Sequence, residues 1–391
     1  MDGLGRPKLG AGSRGNRSSS FAASRRRVLT GVGASAVGLT ALAGCLDGFG
    51  RAGSDLDSYG PGGAPVESTA VSWDELGDLE GELRIYSGRT RDQIEPLFKS
   101  LEEEYPGFTI HYDFDGHEEQ LASIREEGEH TPADLYYTQE SGDLAILKAD
   151  GLVRELPEDV IDAVDETYSD PDGRWTGASG RVRAIQYNTN AFDAVDLPED
   201  VFAYAEEGRF TGRISTRPNS GSFRAFIVAM IELEGESATR EWVRAMVEEQ
   251  DVRLYSGGSE QARAVADGEQ DVALGNQYYA GRILSNEPDA PIDVTFTRND
   301  AGCLFNVSGL AILEGADRPN LAAEFTRHVL AREGQEFFVE TNGEYPVLDG
   351  VEYVGDLPTL DEIEPPQIDL NALGDRHEEA DDLLRQEGMR L

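Results

Sequence analysis

The chain has 391 residues, 75 acidic against 34 basic, with a formal net charge of −41. That balance excludes nucleic acid and anionic membrane surfaces as partners reached through a basic patch. With 39% hydrophobic residues and apolar periodicity through most of the chain, disorder is a poor reason for the acidity. A solvation surface for very high salt, where self-repulsion is screened, is the better one, and it points to an extreme, archaeal halophile.

The first 45 residues differ. They hold seven basic side chains (Arg6, Lys8, Arg14, Arg17, Arg25, Arg26, Arg27) and one acid, Asp2, which leaves 27 basic and 74 acidic residues, net −47, downstream. Val28 to Gly44 is a charge-free run of 17 residues. It is short for a spanning helix and follows a basic region, so it reads as a signal sequence. Ser24-Arg25-Arg26-Arg27-Val28-Leu29 looks like the twin-arginine export signature, and Leu42-Ala43-Gly44-Cys45 resembles a lipobox. Residues 1–45 are thus expected as a twin-arginine lipoprotein signal, with Arg25 and Arg26 as the export pair and Cys45 lipidated. The mature chain would be lipid-anchored to the outer face of the cytoplasmic membrane. An uncleaved anchor would give the same outward-facing location. Gly31-Val32-Gly33-Ala34-Ser35-Ala36 imitates a dinucleotide fingerprint but follows no strand. With Cys45 lipidated, Cys303 has no disulfide partner. Residues 46–80, rich in Gly, Ser, Asp and Pro, read as a flexible tether.

From Gly81 onward elements alternate. Leu83–Tyr86 reads as a strand and Ser87-Gly88-Arg89 as a turn. A helix follows with Ile94, Leu97, Phe98 and Leu101 on one face. Phe108–Phe114 and Ala133–Thr138 read as strands, Leu121–Glu127 and Gly142–Ala149 as helices. This alternation argues an α/β class with a mostly parallel sheet. After the Asp170-Pro171-Asp172-Gly173 turn, the pattern resets near Ser179–Tyr187. A second α/β unit holds a strand at Gly212–Thr216, a loop at Pro218–Ser222, helices through Ala225–Leu233 and around Trp242, and strands at Ala290–Phe296 and Leu304–Leu313. Helices near Leu321–Leu330 and Gly334–Thr341 close the pattern.

One stretch, Asp271 to Arg282, carries chemistry. Val272-Ala273-Leu274 reads as a short buried strand that delivers Tyr278 and Tyr279 onto the loop at its carboxyl end, the edge where open α/β sheets bind ligands. A phenol ionises near ~10 in water but far more easily beside a highly charged cation, and hard oxygen ligands suit hard metals such as Fe(III). Alternatively the two rings pack in a core or between lobes. The five histidines (His111, His117, His130, His328, His377) show no ligand spacing such as HExxH.

Several segments together resemble one family, the iron(III)-binding extracytoplasmic solute-binding proteins of ABC importers (ferric-binding proteins). They are Tyr86-Ser87-Gly88-Arg89; Thr131-Pro132-Ala133-Asp134; Ser179-Gly180-Arg181-Val182-Arg183; Asn219-Ser220-Gly221-Ser222-Phe223; Asn276-Gln277-Tyr278-Tyr279; Asn306-Val307-Ser308-Gly309; Glu344-Tyr345-Pro346; and Glu364-Pro365-Pro366-Gln367. They run in the family's order over almost the whole mature domain. The resemblance implies a two-lobed type II periplasmic-binding-protein fold with a hinged cleft. Lobe 1 would take about 81–180 plus part of 290–345, and lobe 2 about 185–290 plus the C-terminal helices. It implies binding without catalysis, a monomer, and a permease with its ATPase as partners. The paired tyrosine ligands match Tyr278 and Tyr279. A third tyrosine ligand falls at Phe223, a histidine ligand at Thr90, and a glutamate ligand at Gln139, with Glu140 next to it. The resemblance further implies a synergistic carbonate or phosphate held by Ser220, Gly221, Ser222 and Asn276. Arg89 or Arg181 would complete the clamp, since guanidinium binds such anions bidentately.

Two other functions remain in view from sequence alone. One is a binding protein for another solute, such as thiamine, a polyamine or an oxyanion. The other is an exported hydrolase on the same scaffold, which would need a nucleophile beside a base, and no histidine here neighbours a credible serine or cysteine motif.

Overall fold

A computed structural model describes residues 71–390 save 354, 356 and 375. The expected export pair Arg25 and Arg26, the lipidation site Cys45, and the tether up to residue 70 lie outside the described residues. Residues 71–80, expected as the end of that tether, are docked instead. Trp73 is buried, its indole N–H donates to the His328 carbonyl at 2.8 Å, and its backbone N–H donates to Glu333 at 3.0 Å. A large apolar ring with a satisfied N–H is a sufficient anchor.

The elements run β1 (Gly81–Ser87), α1 (Arg91–Glu104), β2 (Phe108–Phe114), α2 (His117–Glu127), β3 (Leu135–Thr138), α3 (Ser141–Ala149), α4 (Glu158–Ala163) and β4 (Thr176–Asn188). Then come α5 (Ala203–Glu206), β5 (Ile214–Thr216), α6 (Gly221–Glu234), α7 (Glu236–Glu248), β6 (Arg253–Leu254), α8 (Gly258–Ala266), β7 (Val272–Asn276), α9 (Gln277–Asn286), β8 (Ile292–Thr295) and β9 (Phe305–Ile312). Helices α10 (Pro319–Leu330), α11 (Arg332–Phe337), α12 (Asn371–Gly374) and α13 (His377–Gln386) complete the described chain. The expected apolar face of α1 is buried through Ile94, Leu97, Phe98 and Leu101.

The strands follow the order β2-β1-β3-β9-β4-β7-β5-β6, with β8 paired to β4 off this path. β1, β2 and β3 are parallel, as are β5, β6 and β7, while β9 and β4 run antiparallel between the two groups. Where the sequence suggested a reset there is one buried strand of thirteen residues, β4. Its two arginines interrupt the apolar pattern, which hides its continuity. β4 pairs with β9 up to Val182 opposite Phe305, and with β7 from Arg183 opposite Asn276. The two strand groups therefore share a strand, and its partner changes between Val182 and Arg183. Helix α13 packs on α6 and α7, whereas α12 packs on α3, so the C-terminal helices serve both groups.

The parallel strands β3, β5 and β7 all lead, within a few residues, into the N-termini of α3, α6 and α9. Helix N-termini carry free N–H groups and partial positive charge. Brought together at the carboxyl edge of strands, at a change of strand partner, they form the expected place for a ligand.

Candidate functional site

A cavity of about 230 Å³ lies there. The first strand group lines it with the start of α2 and with Gln139 and Glu140. The second group contributes Ser220, Gly221, Ser222, Asn276, Tyr278 and Tyr279. Arg181 and Arg183 reach it from the shared strand. Across its mouth, Arg224 of α6 is ion-paired with Glu118 of α2 and, at 2.8 Å, with Asp381 of α13.

The two tyrosines sit in the first turn of α9 rather than on a loop, because β7 passes directly into the helix at Asn276. Their ring centroids are 4.4 Å apart. Tyr278 is buried and Tyr279 half-buried. Burial, reinforced by Tyr279 and opposed by Arg181, pushes the Tyr278 phenol well above its usual range. A metal-free Tyr278 is therefore a neutral phenol, and only a strong cation would ionise it. Asn276 occupies the N-cap position of α9 but makes no cap bond. Its side-chain N–H donates to the Tyr278 phenol oxygen at 3.3 Å instead. The ring of Tyr279 lies against α8, where a Cβ on Gly258 would stand 2.3 Å from its Cζ. Only glycine leaves that ring its place.

The cationic side of the cavity is built on α6. Ser220 caps the helix, its hydroxyl oxygen accepting from the Phe223 N–H at 3.2 Å. The Ser222 hydroxyl donates to the Asn276 side-chain oxygen at 2.8 Å. Arg183 donates to the carbonyl and to the hydroxyl of Ser222, both at 3.3 Å. A hydrogen-bonded chain thus runs from Arg183 through Ser222 and Asn276 to Tyr278. Arg183 is buried, and its Nε and Nη2 find no partner among the described residues. Burial pulls its pKa down to about 9, with Glu140 offsetting part of the shift and Arg181 adding to it. A buried cation in this state is short of an anion.

Glu140 sits at the N-cap position of α3 yet makes no cap bond. Its carboxylate lies 2.9 Å from Nη2 of Arg181, close enough to pair although the contact lacks hydrogen-bond alignment. It also covers the first turn of α6, where a Cβ on Gly221 would stand 2.8 Å from the Glu140 carboxyl carbon.

Of the residues singled out from sequence, Gln139, Glu140, Arg181, Ser220, Gly221, Ser222, Asn276, Tyr278 and Tyr279 line one cavity. Arg89 does not. Its guanidinium is fully buried elsewhere, Nη2 donating to both carboxylate oxygens of Glu344 at 2.8 and 3.0 Å, near the rings of Tyr137 and Phe338. Glu344 already satisfies the charge that the anion clamp would have used. Thr90 caps α1 and Phe223 is a core residue. Arg183 and His117 also line the cavity, although the sequence reading assigned neither to the site. Arg183 was findable, since residues two apart on a strand share a face and Arg181 had already been singled out. His117 begins α2 just beyond β2, and its Nδ1 lies 3.1 Å from the Asp143 carboxylate. No group of three or more His, Cys, Asp or Glu able to hold a metal occurs among the described residues; the hard oxygen donors lining the cavity include the two phenols and the Glu140 carboxylate.

The family model for bacterial extracellular solute-binding proteins matches residues 131–372. The chain is 31% identical over 278 residues to the major ferric iron-binding protein of Neisseria meningitidis, covering 70% of this chain and 83% of that one. It is 28% identical over 304 residues to iron uptake protein A1 of Synechocystis, covering 75% and 83%. Iron-bound HitA from Pseudomonas aeruginosa superposes with a TM-score of 0.73 at 28% identity, over 78% of this chain and 99% of that one.

Proposed function

The chain belongs to the bacterial extracellular solute-binding family, among the ferric-iron-binding proteins of ABC importers, and on that premise we propose that its cleft captures Fe(III) as cargo. It has the two-lobed type II fold of those relatives, and such a protein serves an extracytoplasmic iron uptake system. The observation that carries the proposal is the adjacent pair Tyr278 and Tyr279 on a cavity that Arg181 and Arg183 also line and that Glu140 faces from the other strand group. Both phenols would bind as phenolates, with Glu140 or Gln139 contributing from the other strand group. Ser220, Gly221, Ser222, Asn276, Arg181 and Arg183 would face the negative charge that shares the metal, supplied by carbonate, by phosphate or by a carboxylate of the chain itself. Metal bound between the strand groups would tie them into one closed form, the form a permease reads.

The protein would bind and release its cargo without chemistry, as a monomer. Among the described residues no helix is long and apolar enough to cross a membrane. Attachment would rest on a lipid at Cys45 after export through the Arg25-Arg26 signal.

A second reading has one observation behind it. The unpartnered Arg183 suits an oxyanion as sole cargo. A thermal-shift screen separates the readings: ferric ion should raise the melting temperature, whereas oxyanions alone should give no rise. Stabilisation by phosphate or another oxyanion that ferric ion does not match would favour the second reading.

A further inference from the structure

The proposed site needs an anion beside the metal, and the chain already supplies a carboxylate there. Glu140 comes from the β3–α3 junction, across the cavity from α6. It stands 2.9 Å from Arg181 and lies directly over the α6 N-terminus, its carboxyl carbon 2.8 Å and Oε1 3.0 Å from where a Gly221 Cβ would be. Those two contacts, a guanidinium and the first turn of a fourteen-residue helix, are what a free carbonate or phosphate would use. A free oxyanion and Glu140 cannot both stand on Gly221. The glycine is itself informative, since any side chain at 221 would expel the carboxylate. Glu140 also leaves the Asp143 N–H unserved by its side chain, as the α3 N-cap bond is not made, and its carboxylate is paired with Arg181. The neighbouring Arg183, nine-tenths buried with two unpartnered nitrogens, confirms that this corner is built for negative charge rather than being a surface ion pair.

We infer that the Glu140 carboxylate is the resident anion of this cleft, so that metal capture needs no free carbonate or phosphate. The inference rests on the ferric reading for its consequence but not for its test. Inorganic phosphate titrated into the metal-free chain, followed by calorimetry, should give no binding for wild type. Glu140→Ala and the shape-preserving Glu140→Gln should both acquire phosphate binding, because Arg181, Arg183 and the α6 N-terminus are left without a carboxylate. In parallel, ferric chloride in buffer free of carbonate and phosphate should load wild type, and added bicarbonate should change its affinity less than about twofold. Glu140→Ala should load at least about tenfold more weakly, a difference of ~1.4 kcal/mol, and bicarbonate or phosphate should restore it. Tight phosphate binding by metal-free wild type, or loading of wild type only with an added oxyanion, would overturn the inference. So would variants that match wild type in both assays while circular dichroism shows them folded. A chain that never loads iron, yet whose Glu140 variants alone gain phosphate, would remove the ferric reading and leave the resident anion standing.

Discussion

Asn276 holds Tyr278 by a hydrogen bond from its side-chain amide to the phenol oxygen, 3.3 Å long, and in turn accepts from Ser222 at 2.8 Å. The contact joins the anion side of the cleft to the metal side. Once Tyr278 is a phenolate the bond is charge-assisted, worth about 1.5–3 kcal/mol. Asn276→Ala should therefore weaken ferric binding by roughly ten- to a hundredfold with the fold intact. Competition against a ferric chelator measures it, and an unchanged affinity would mean that the phenol is positioned without Asn276.

Arg89 behaves differently. It is buried against Glu344 and does not line the cavity. Glu344→Gln leaves a buried guanidinium without its counter-charge, which should destabilise the chain by about 3–5 kcal/mol. Chemical denaturation gives the number. Iron affinity of the folded fraction should stay within about twofold, unlike that of Asn276→Ala.

The imidazole of His117 offers a pH test. Burial opposes its charge, but hydrogen bonding and attraction to Asp143 outweigh burial and lift it to about 9. A free imidazole titrates near ~6.5, so the folded state binds the proton more tightly. The contribution of the pair to stability is then complete below about pH 6.5 and is lost as pH rises through about 9. The melting temperature of wild type should exceed that of His117→Gln at pH 6, and the gap should shrink by pH 10. A gap that widens with pH would reverse the assignment.

Much of this arrangement was legible in the sequence because local rules and global placement agree in it. The β-α alternation of the first group, the apolar face of α1 and the small-residue turn before α6 each follow from patterns a few residues long. What escaped depended on long-range partners. Nothing near Arg89 indicates Glu344, which arrives 255 positions later to neutralise it. β4 looked like a boundary because polar residues interrupt it, yet burial on both sides makes it the shared strand. Trp73 looked like part of a tether until the His328 carbonyl supplied its partner.

The net charge of −47 downstream of residue 45 predicts a fold that depends on salt. The screening length falls from about 10 Å at 0.1 M to about 3 Å at 1 M, so repulsion among carboxylates should loosen the chain as KCl is removed. Circular dichroism against KCl concentration would show the transition. A signal constant from dilute buffer to molar salt would remove the halophilic interpretation.

The most direct test of ferric capture is the visible spectrum. A phenolate on Fe(III) gives a charge-transfer band, since an electron-rich oxygen adjoins an oxidising metal. Ferric ion should turn the chain orange to red and release protons as the two phenols ionise, and the band should fade as pH falls. Tyr278→Phe and Tyr279→Phe keep nearly the same ring volume. Each should lose most of the colour while retaining the wild-type circular dichroism. A wild-type chain that binds ferric ion without the band, or a band that survives both substitutions, would contradict tyrosinate capture.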